Sequence, residues 1–168
     1  MTAPEPEQTA QSLAGQALGL LIARGDTVAV AESLTGGMLA AAITSVPGAS
    51  AAFRGGVVTY ATDLKASLLE VSADLLARRG AVHPEVAAQM AAGVSRHLTA
   101  TTGVSTTGVA GPDPADGQPV GTVFIAVALG GRISGRHLTL AGDRQAIRGA
   151  TVRSALALLL EVLREDKI

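Results

Sequence analysis

Cysteine is absent from the 168 residues of this chain, and aromatic residues make up only 2% of it. Without cysteine the chain cannot form disulfide bonds, and it has no thiolate to act as a nucleophile or a metal ligand. With so few aromatic residues, the core has to be built from the leucine, valine, isoleucine and alanine that dominate the 48% hydrophobic fraction. The formal net charge is −1, so the sequence lacks the basic excess of proteins that bind nucleic acid or anionic membranes.

Long apolar runs are also missing. No stretch reaches the ~18 apolar residues that cross a bilayer, and the start of the chain lacks the basic and apolar segments of a signal peptide. We therefore expect a soluble, cytoplasmic protein that does not bind membranes. The length predicts a single domain over residues 1–168 with a substantial core, and the two prolines within residues 1–6 predict a frayed start.

Short β-branched segments and longer helix-forming segments are intermixed along the chain. The former predict strands at 27–31, 55–60, 104–107, 122–129 and 133–140. The latter predict helices at 7–24, 38–46, 62–69, 72–80, 84–98 and from 143 onwards. Gly130 and Gly131 predict a hairpin between the last two strands. We therefore predict an α/β fold, a three-layer α/β/α sandwich with a mixed, mainly parallel sheet that ends in an antiparallel hairpin.

The junction between the first strand and the second helix contains two hydroxyl side chains, Ser33 and Thr35, followed by Gly36 and Gly37. The first backbone N–H groups of a helix lack partners and favour a negative group. A hydroxyl at this point could attack a ligand held against those donors. The alternative is that Ser33 or Thr35 is an ordinary helix cap.

Polar residues follow two further strands, with Tyr60 and Lys65 after the second and Thr107 and Gly108 after the third. Ligands of open α/β sheets bind outside the carboxyl ends of the strands. If the first three strands are parallel, their loops meet at one edge of the sheet. This arrangement predicts a binding site there.

Several other kinds of site are excluded or disfavoured by the sequence. It contains neither a Walker A motif nor a G-x-G-x-x-G motif. His83, His97 and His137 share no ligand spacing, so we expect no metal and no cofactor. Asp113 and Asp116 lie in a Pro/Gly-rich loop, where turn formation is the favoured interpretation.

Lysine is the remaining candidate base for Ser33, because no histidine falls in the strand-end loops. Lys65 is predicted near the start of a helix, where the dipole disfavours a positive charge. Partial burial would lower its pKa further, and a neutral lysine could accept the serine proton. The alternative is a solvated surface lysine.

Arg144 and Arg148 are four residues apart at the start of the last predicted helix and share a face. Two guanidinium groups beside a helix N-terminus could bind a phosphate or carboxylate. The alternatives are a pair of solvated arginines or, for Arg148 alone, a structural ion pair.

Taken together, these motifs resemble the CinA C-terminal domain family, the nicotinamide mononucleotide deamidases, over roughly residues 8–164. The matching segments are residues 31–37, 56–60 with Lys65, 107–112, 119–123, and 142–144 with Arg148. The resemblance implies hydrolysis of the carboxamide of nicotinamide mononucleotide to nicotinate mononucleotide and ammonia, a step of pyridine nucleotide recycling.

The resemblance also implies the roles of individual residues. Ser33 would be the nucleophile and Lys65 its base, with Tyr60 and Thr107 completing the catalytic set. The substrate-binding residues would be Thr35, Gly36, Gly37, Gly108, Arg144 and Arg148. Backbone N–H groups near the Ser33 turn or Thr107–Gly108 would stabilise the oxyanion.

Two other functions remain open. The first is a nucleotide-binding or regulatory module that uses the same pocket without turnover, and the second is an amidohydrolase for another pyridine or nucleotide amide. Alanine-rich helices pack closely, which favours a homodimer. Full-length CinA proteins also carry an N-terminal molybdopterin-binding-like domain, which these 168 residues lack, so we expect no activity of that domain.

Overall fold

A computed structural model describes residues 8–166 of the chain. The predicted fraying of residues 1–6 lies outside this range. The helices are α1 (Ala10–Arg24), α2 (Met38–Thr44), α3 (Thr62–Leu69), α4 (Ala73–Arg79), α5 (Pro84–His97) and α6 (Arg144–Glu165). The strands are β1 (Val28–Glu32), β2 (Phe53–Val58), β3 (Thr102–Gly108), β4 (Thr122–Leu129) and β5 (Arg132–Thr139), and a short 3₁₀ turn spans Ala49–Ala51.

The five strands form one sheet in the order β2-β1-β3-β4-β5. Strand β1 is parallel to both of its neighbours, whereas β4 is antiparallel to β3 and to β5. Four of the five strands therefore run in one direction, and the last two form the predicted hairpin. The predicted fold class is confirmed.

Helices cover both faces of the sheet, and the alternation of side chains along β1 shows how. Val28 and Val30 pack into a core shared with α1, α2 and α6. Ala29 and Ala31 point to the opposite face, where they pack against residues of α3, α4 and α5. All four side chains are fully buried, so β1 lies at the centre of the three layers.

Several element boundaries differ from the predictions by one to three residues, and local hydrogen bonds explain two of them. Helix α1 begins at Ala10 rather than near residue 7, because the side chain of Thr9 accepts a hydrogen bond from the amide of Ser12 and caps the helix. Strand β2 covers Phe53–Val58 rather than residues 55–60. The last contact with β1 is the hydrogen bond that the Thr59 amide donates to the Glu32 carbonyl at 2.9 Å, so Tyr60 lies beyond the strand.

The start of α6 agrees with the prediction. Asp143 is its N-cap, and the carboxylate accepts a hydrogen bond from the Ala146 amide at 2.8 Å. This cap places Arg144 in the first turn of the helix. Within residues 8–166, no helix combines the length and the apolar character needed to cross a bilayer.

Candidate active site

The carboxyl ends of β1, β2 and β3 border a cavity of about 290 Å³. Because these strands are parallel, their following loops meet at one edge of the sheet, as the sequence predicts. Six of the predicted site residues line the cavity: Ser33, Tyr60, Lys65, Thr107, Gly108 and Arg144.

Ser33 and Lys65 are in direct contact in this cavity. The Lys65 Nζ atom lies 3.0 Å from the Ser33 Oγ atom and 2.6 Å from the carbonyl oxygen of Thr59. The lysine side chain is fully buried, so the interpretation of Lys65 as a solvated surface residue is wrong. Burial lowers the pKa of Lys65 from 10.5 to about 8, and the carboxylate of Asp116 acts in the opposite direction.

Backbone hydrogen bonds fix the two segments that carry Ser33 and the Thr59 carbonyl. The amide of Ser33 donates to the Thr106 carbonyl at 3.1 Å, and the amide of Thr59 donates to the Glu32 carbonyl at 2.9 Å. A neutral Lys65 could donate one N–H to the Thr59 carbonyl while its lone pair accepts the hydroxyl proton of Ser33. The arrangement can therefore activate a serine oxygen near neutral pH.

The N-terminus of α2 is occupied by a side chain of the protein itself. The carboxylate of Glu32, only 1% exposed, accepts hydrogen bonds from the amides of Leu39 at 2.8 Å and Ala40 at 3.1 Å. The expectation that these donors hold an anionic ligand is therefore corrected, because Glu32 supplies the negative group.

The alternative that Ser33 or Thr35 caps this helix is also wrong. The N-cap of α2 is Gly37, which makes no side-chain hydrogen bond. Thr35 is fully buried, and its Oγ1 atom lies 2.8 Å from the Oγ1 atom of Thr106. Thr35, Gly36 and Gly37 do not line the cavity, so the structure places these predicted binding residues behind Ser33.

Arg148 lies on the far side of the same turn. Its Nε atom donates to the Leu34 carbonyl at 2.9 Å, and its Nη2 atom donates to the Thr35 carbonyl at 3.1 Å. Gly36 has a φ of +57°, and a Cβ atom there would approach the Arg148 Nη2 atom to 3.2 Å. Arg148 therefore supports the nucleophile turn from outside the cavity, which corrects the expectation that both arginines converge on one ligand.

Arg144, one turn earlier on α6, does line the cavity. Its guanidinium donates to the Gly111 carbonyl and to the Tyr60 hydroxyl, both at 2.7 Å. A guanidinium has five N–H donors, so these two contacts leave others for a ligand. Tyr60 is 57% exposed and links Arg144 to the segment between β2 and α3.

Thr107 and two acidic residues also line the cavity. Thr107 donates its hydroxyl proton to the Ala81 carbonyl at 2.9 Å, and the Ala81 amide donates to Asp116 Oδ2 at 2.8 Å. Asp113 and Asp116 both line the cavity. Turn formation is present too, because Asp116 has a φ of +52° and Ala115 pairs with Gln118. The sequence analysis missed their place in the cavity, although their loop directly follows β3.

Two backbone amides are candidates for stabilising an oxyanion. Leu34 and Ala110 line the cavity, and across residues 8–166 neither amide donates to another protein group. Gly108 also lines the cavity, and it pairs with Val123 in the sheet. Among the same residues, no group of three or more His, Cys, Asp or Glu could hold a metal ion.

Comparison with known proteins identifies relatives whose sequences match almost the entire chain. A CinA-like protein of Frankia casuarinae is 55% identical over 152 residues, which is 90% of this chain and 35% of that protein. A putative competence-damage inducible protein of Desulforamulus reducens is 42% identical over 160 residues, which is 95% of this chain and 38% of that protein. The chain thus spans little more than a third of these curated relatives.

Solved structures match the fold over nearly their whole length. A CinA superfamily protein from Klebsiella pneumoniae superposes with a TM-score of 0.91 at 35% identity, covering 94% of this chain and 99% of the other. A CinA superfamily protein from Escherichia coli gives a TM-score of 0.90 at 33% identity, covering 96% and 94%. The family model described as the CinA C-terminal domain matches residues 10–163. The chain therefore belongs to the CinA C-terminal domain family.

Proposed function

We propose that this protein is an amidohydrolase that converts nicotinamide mononucleotide to nicotinate mononucleotide and ammonia. The observation that carries the proposal is the contact of 3.0 Å between Lys65 Nζ and Ser33 Oγ inside the cavity. A lysine whose pKa is lowered to about 8 by burial is partly neutral near physiological pH and can act as a general base.

The first half of the reaction forms an acyl-enzyme. Neutral Lys65 takes the hydroxyl proton as Ser33 Oγ attacks the amide carbon, and the carbonyl oxygen becomes an oxyanion. The free amides of Leu34 and Ala110 are the proposed donors to that oxyanion. The tetrahedral intermediate collapses when Lys65 delivers its proton to the amide nitrogen. The C–N bond breaks, ammonia leaves, and the acyl group remains on Ser33 as an ester.

The second half of the reaction uses the same groups in reverse. Lys65, neutral again, takes a proton from a water molecule that attacks the ester carbon. The second tetrahedral intermediate collapses when the serine oxygen leaves and receives the proton from Lys65. The acid product is released, and Ser33 and Lys65 return to their starting states. No other co-reactant is needed.

Arg144 supports the nucleotide part of the proposal. Its guanidinium lines the cavity in the first turn of α6, where a positive side chain and the helix N-terminus both favour a phosphate. We propose that Arg144 binds the single phosphate of the substrate, while the carboxamide lies against Ser33 and Lys65 at the opposite end.

The test is ammonia release from three related amides: nicotinamide mononucleotide, the phosphate-free riboside and free nicotinamide. The proposal predicts rapid release from the mononucleotide and much slower release from the other two. Faster release from one of the other amides would assign a different substrate. If calorimetry shows that the mononucleotide binds but no ammonia is released, the nucleotide-binding or regulatory module would be supported instead.

A further inference from the structure

Asp116 is a carboxylate that the proposed reaction leaves unused, although it lines the same cavity as Ser33 and Lys65. Two contacts hold it in place. Its Oδ2 atom accepts the Ala81 amide at 2.8 Å, and its side chain packs over Gly80. A Cβ atom at Gly80 would come within 2.8 Å of Asp116 Cβ and 2.9 Å of its Cγ, so this packing requires a glycine.

The charge of Asp116 is not neutralised by an ion pair. Among the ion pairs found within residues 8–166, none includes Asp116. Its field instead acts on Lys65, where it opposes the lowering of the lysine pKa by burial. The other ionisable groups around the cavity are Asp113 in the same loop, Tyr60 before α3 and Arg144 on α6.

The reacting group of a substrate has to enter the cavity that Asp116 lines. Ser33 Oγ is 3.0 Å from Lys65 Nζ, so an amide carbon in contact with Ser33 is also beside Lys65. The group that changes during the reaction therefore lies in the cavity that Asp116 also lines. A carboxamide is neutral and carries two N–H donors, whereas the product carboxylate is negative and only accepts hydrogen bonds.

We propose that Asp116 makes the site discriminate between a carboxamide and a carboxylate, so that the amide is bound and the acid is expelled after hydrolysis. The inference rests on the proposed function, and it adds the residue that makes the site prefer the amide substrate over the acid product. An anion in the wall of the cavity attracts the amide N–H groups and repels the negative product. Asp116 is a specificity-determining residue in this account, and it takes no part in proton transfer.

The experiment measures binding of both nucleotides to protein that cannot turn over. Calorimetry with the Ser33→Ala protein gives the Kd of nicotinamide mononucleotide and of nicotinate mononucleotide. Adding Asp116→Asn keeps the side-chain shape and an oxygen acceptor for the Ala81 amide. We expect the amide to bind more weakly and the acid more tightly, so that the ratio of the two Kd values changes by roughly tenfold.

Asp63→Asn is the matched control. It makes the same change of charge on α3, two residues before Lys65, at an exposed position that does not line the cavity, and it should leave the ratio unchanged. Asp116→Ser provides a second neutral variant if the asparagine protein does not fold. The acid limb of kcat/KM should also move to lower pH in the Asp116 variants, because the group that raises the lysine pKa is gone.

The outcomes separate this inference from the proposed function. An unchanged ratio of the two Kd values, whether or not both ligands bind more weakly, would show that Asp116 only holds its loop, even if the wild-type protein releases ammonia. A shifted ratio in a protein whose wild type releases no ammonia would support the inference and reject the hydrolase. Absence of binding by either ligand would overturn both.

Discussion

Raising the pH should stabilise the wild-type protein relative to Lys65→Met. Below pH 8 the folded protein buries a charged Lys65, and the unfolded chain is charged as well. Between about pH 8 and 10.5 the folded protein has lost this proton while the unfolded chain still binds it. Since the unfolded state then binds more protons, the free energy of unfolding rises with pH across this window.

The size of the effect follows from the two pKa values. The difference between 10.5 and about 8, at about 1.4 kcal/mol for each pKa unit, corresponds to a gain of about 3 to 4 kcal/mol over the whole window. Lys65→Met keeps the stem volume and has no proton to lose, so the contributions of all other groups cancel in the comparison. The variant also leaves the Thr59 carbonyl without its donor, which costs about 1–3 kcal/mol at every pH and does not affect the slope.

Urea unfolding followed by far-UV circular dichroism at pH 7, 8.5 and 10 measures both proteins. The same ionisation should appear in catalysis, where kcat/KM of the wild type rises about tenfold per pH unit and levels off above about pH 8. A constant difference in unfolding free energy between the two proteins across this range would refute the lowered lysine pKa. So would a flat rate profile.

Three further predictions concern the other site residues. Arg144→Ala should raise the KM for the mononucleotide by roughly 10- to 150-fold, the value of one charge-assisted hydrogen bond, and should leave the riboside rate nearly unchanged; equal losses on both substrates would remove the phosphate assignment. Arg148→Gln should lower kcat by about 10- to 100-fold and change KM by less than about threefold, because a small displacement of the turn that carries Ser33 slows the reaction. A KM increase as large as that of the Arg144 variant would instead show that Arg148 contacts the substrate. Excess chelator should leave ammonia release unchanged, and loss of activity that a divalent ion restores would contradict the metal-free mechanism.

The position of the site could be predicted from the sequence because it depends on topology more than on side-chain packing. Polar residues after three strands converge wherever those strands are parallel, and β1 is parallel to both β2 and β3. That arrangement brings the Ser33 turn and helix α3, which carries Lys65, to the same edge of the sheet. The roles of all the site residues, the homodimer and the cytoplasmic location stay predictions.

The remaining features depend on the directions of individual side chains and on the paths of loops, which a sequence pattern does not contain. Spacing of four residues puts Arg144 and Arg148 on one face, but a helical turn advances by about 5.4 Å, and this separates the cavity from the back of the turn. Glu32 reaches the start of α2 across a turn in which Gly36 and Gly37 adopt positive φ values. Asp116 reaches the cavity through a loop whose path no periodicity describes.

The most direct test of the central claim compares ammonia release from nicotinamide mononucleotide by the wild type, Ser33→Ala and Ser45→Ala. Ser45 is an exposed serine at the C-cap of α2, outside the cavity, and is the matched control. The account predicts full activity for the wild type and for Ser45→Ala, with a loss of at least about a thousandfold for Ser33→Ala. Retention of more than about a tenth of the wild-type rate by Ser33→Ala would contradict the assignment of Ser33 as the nucleophile.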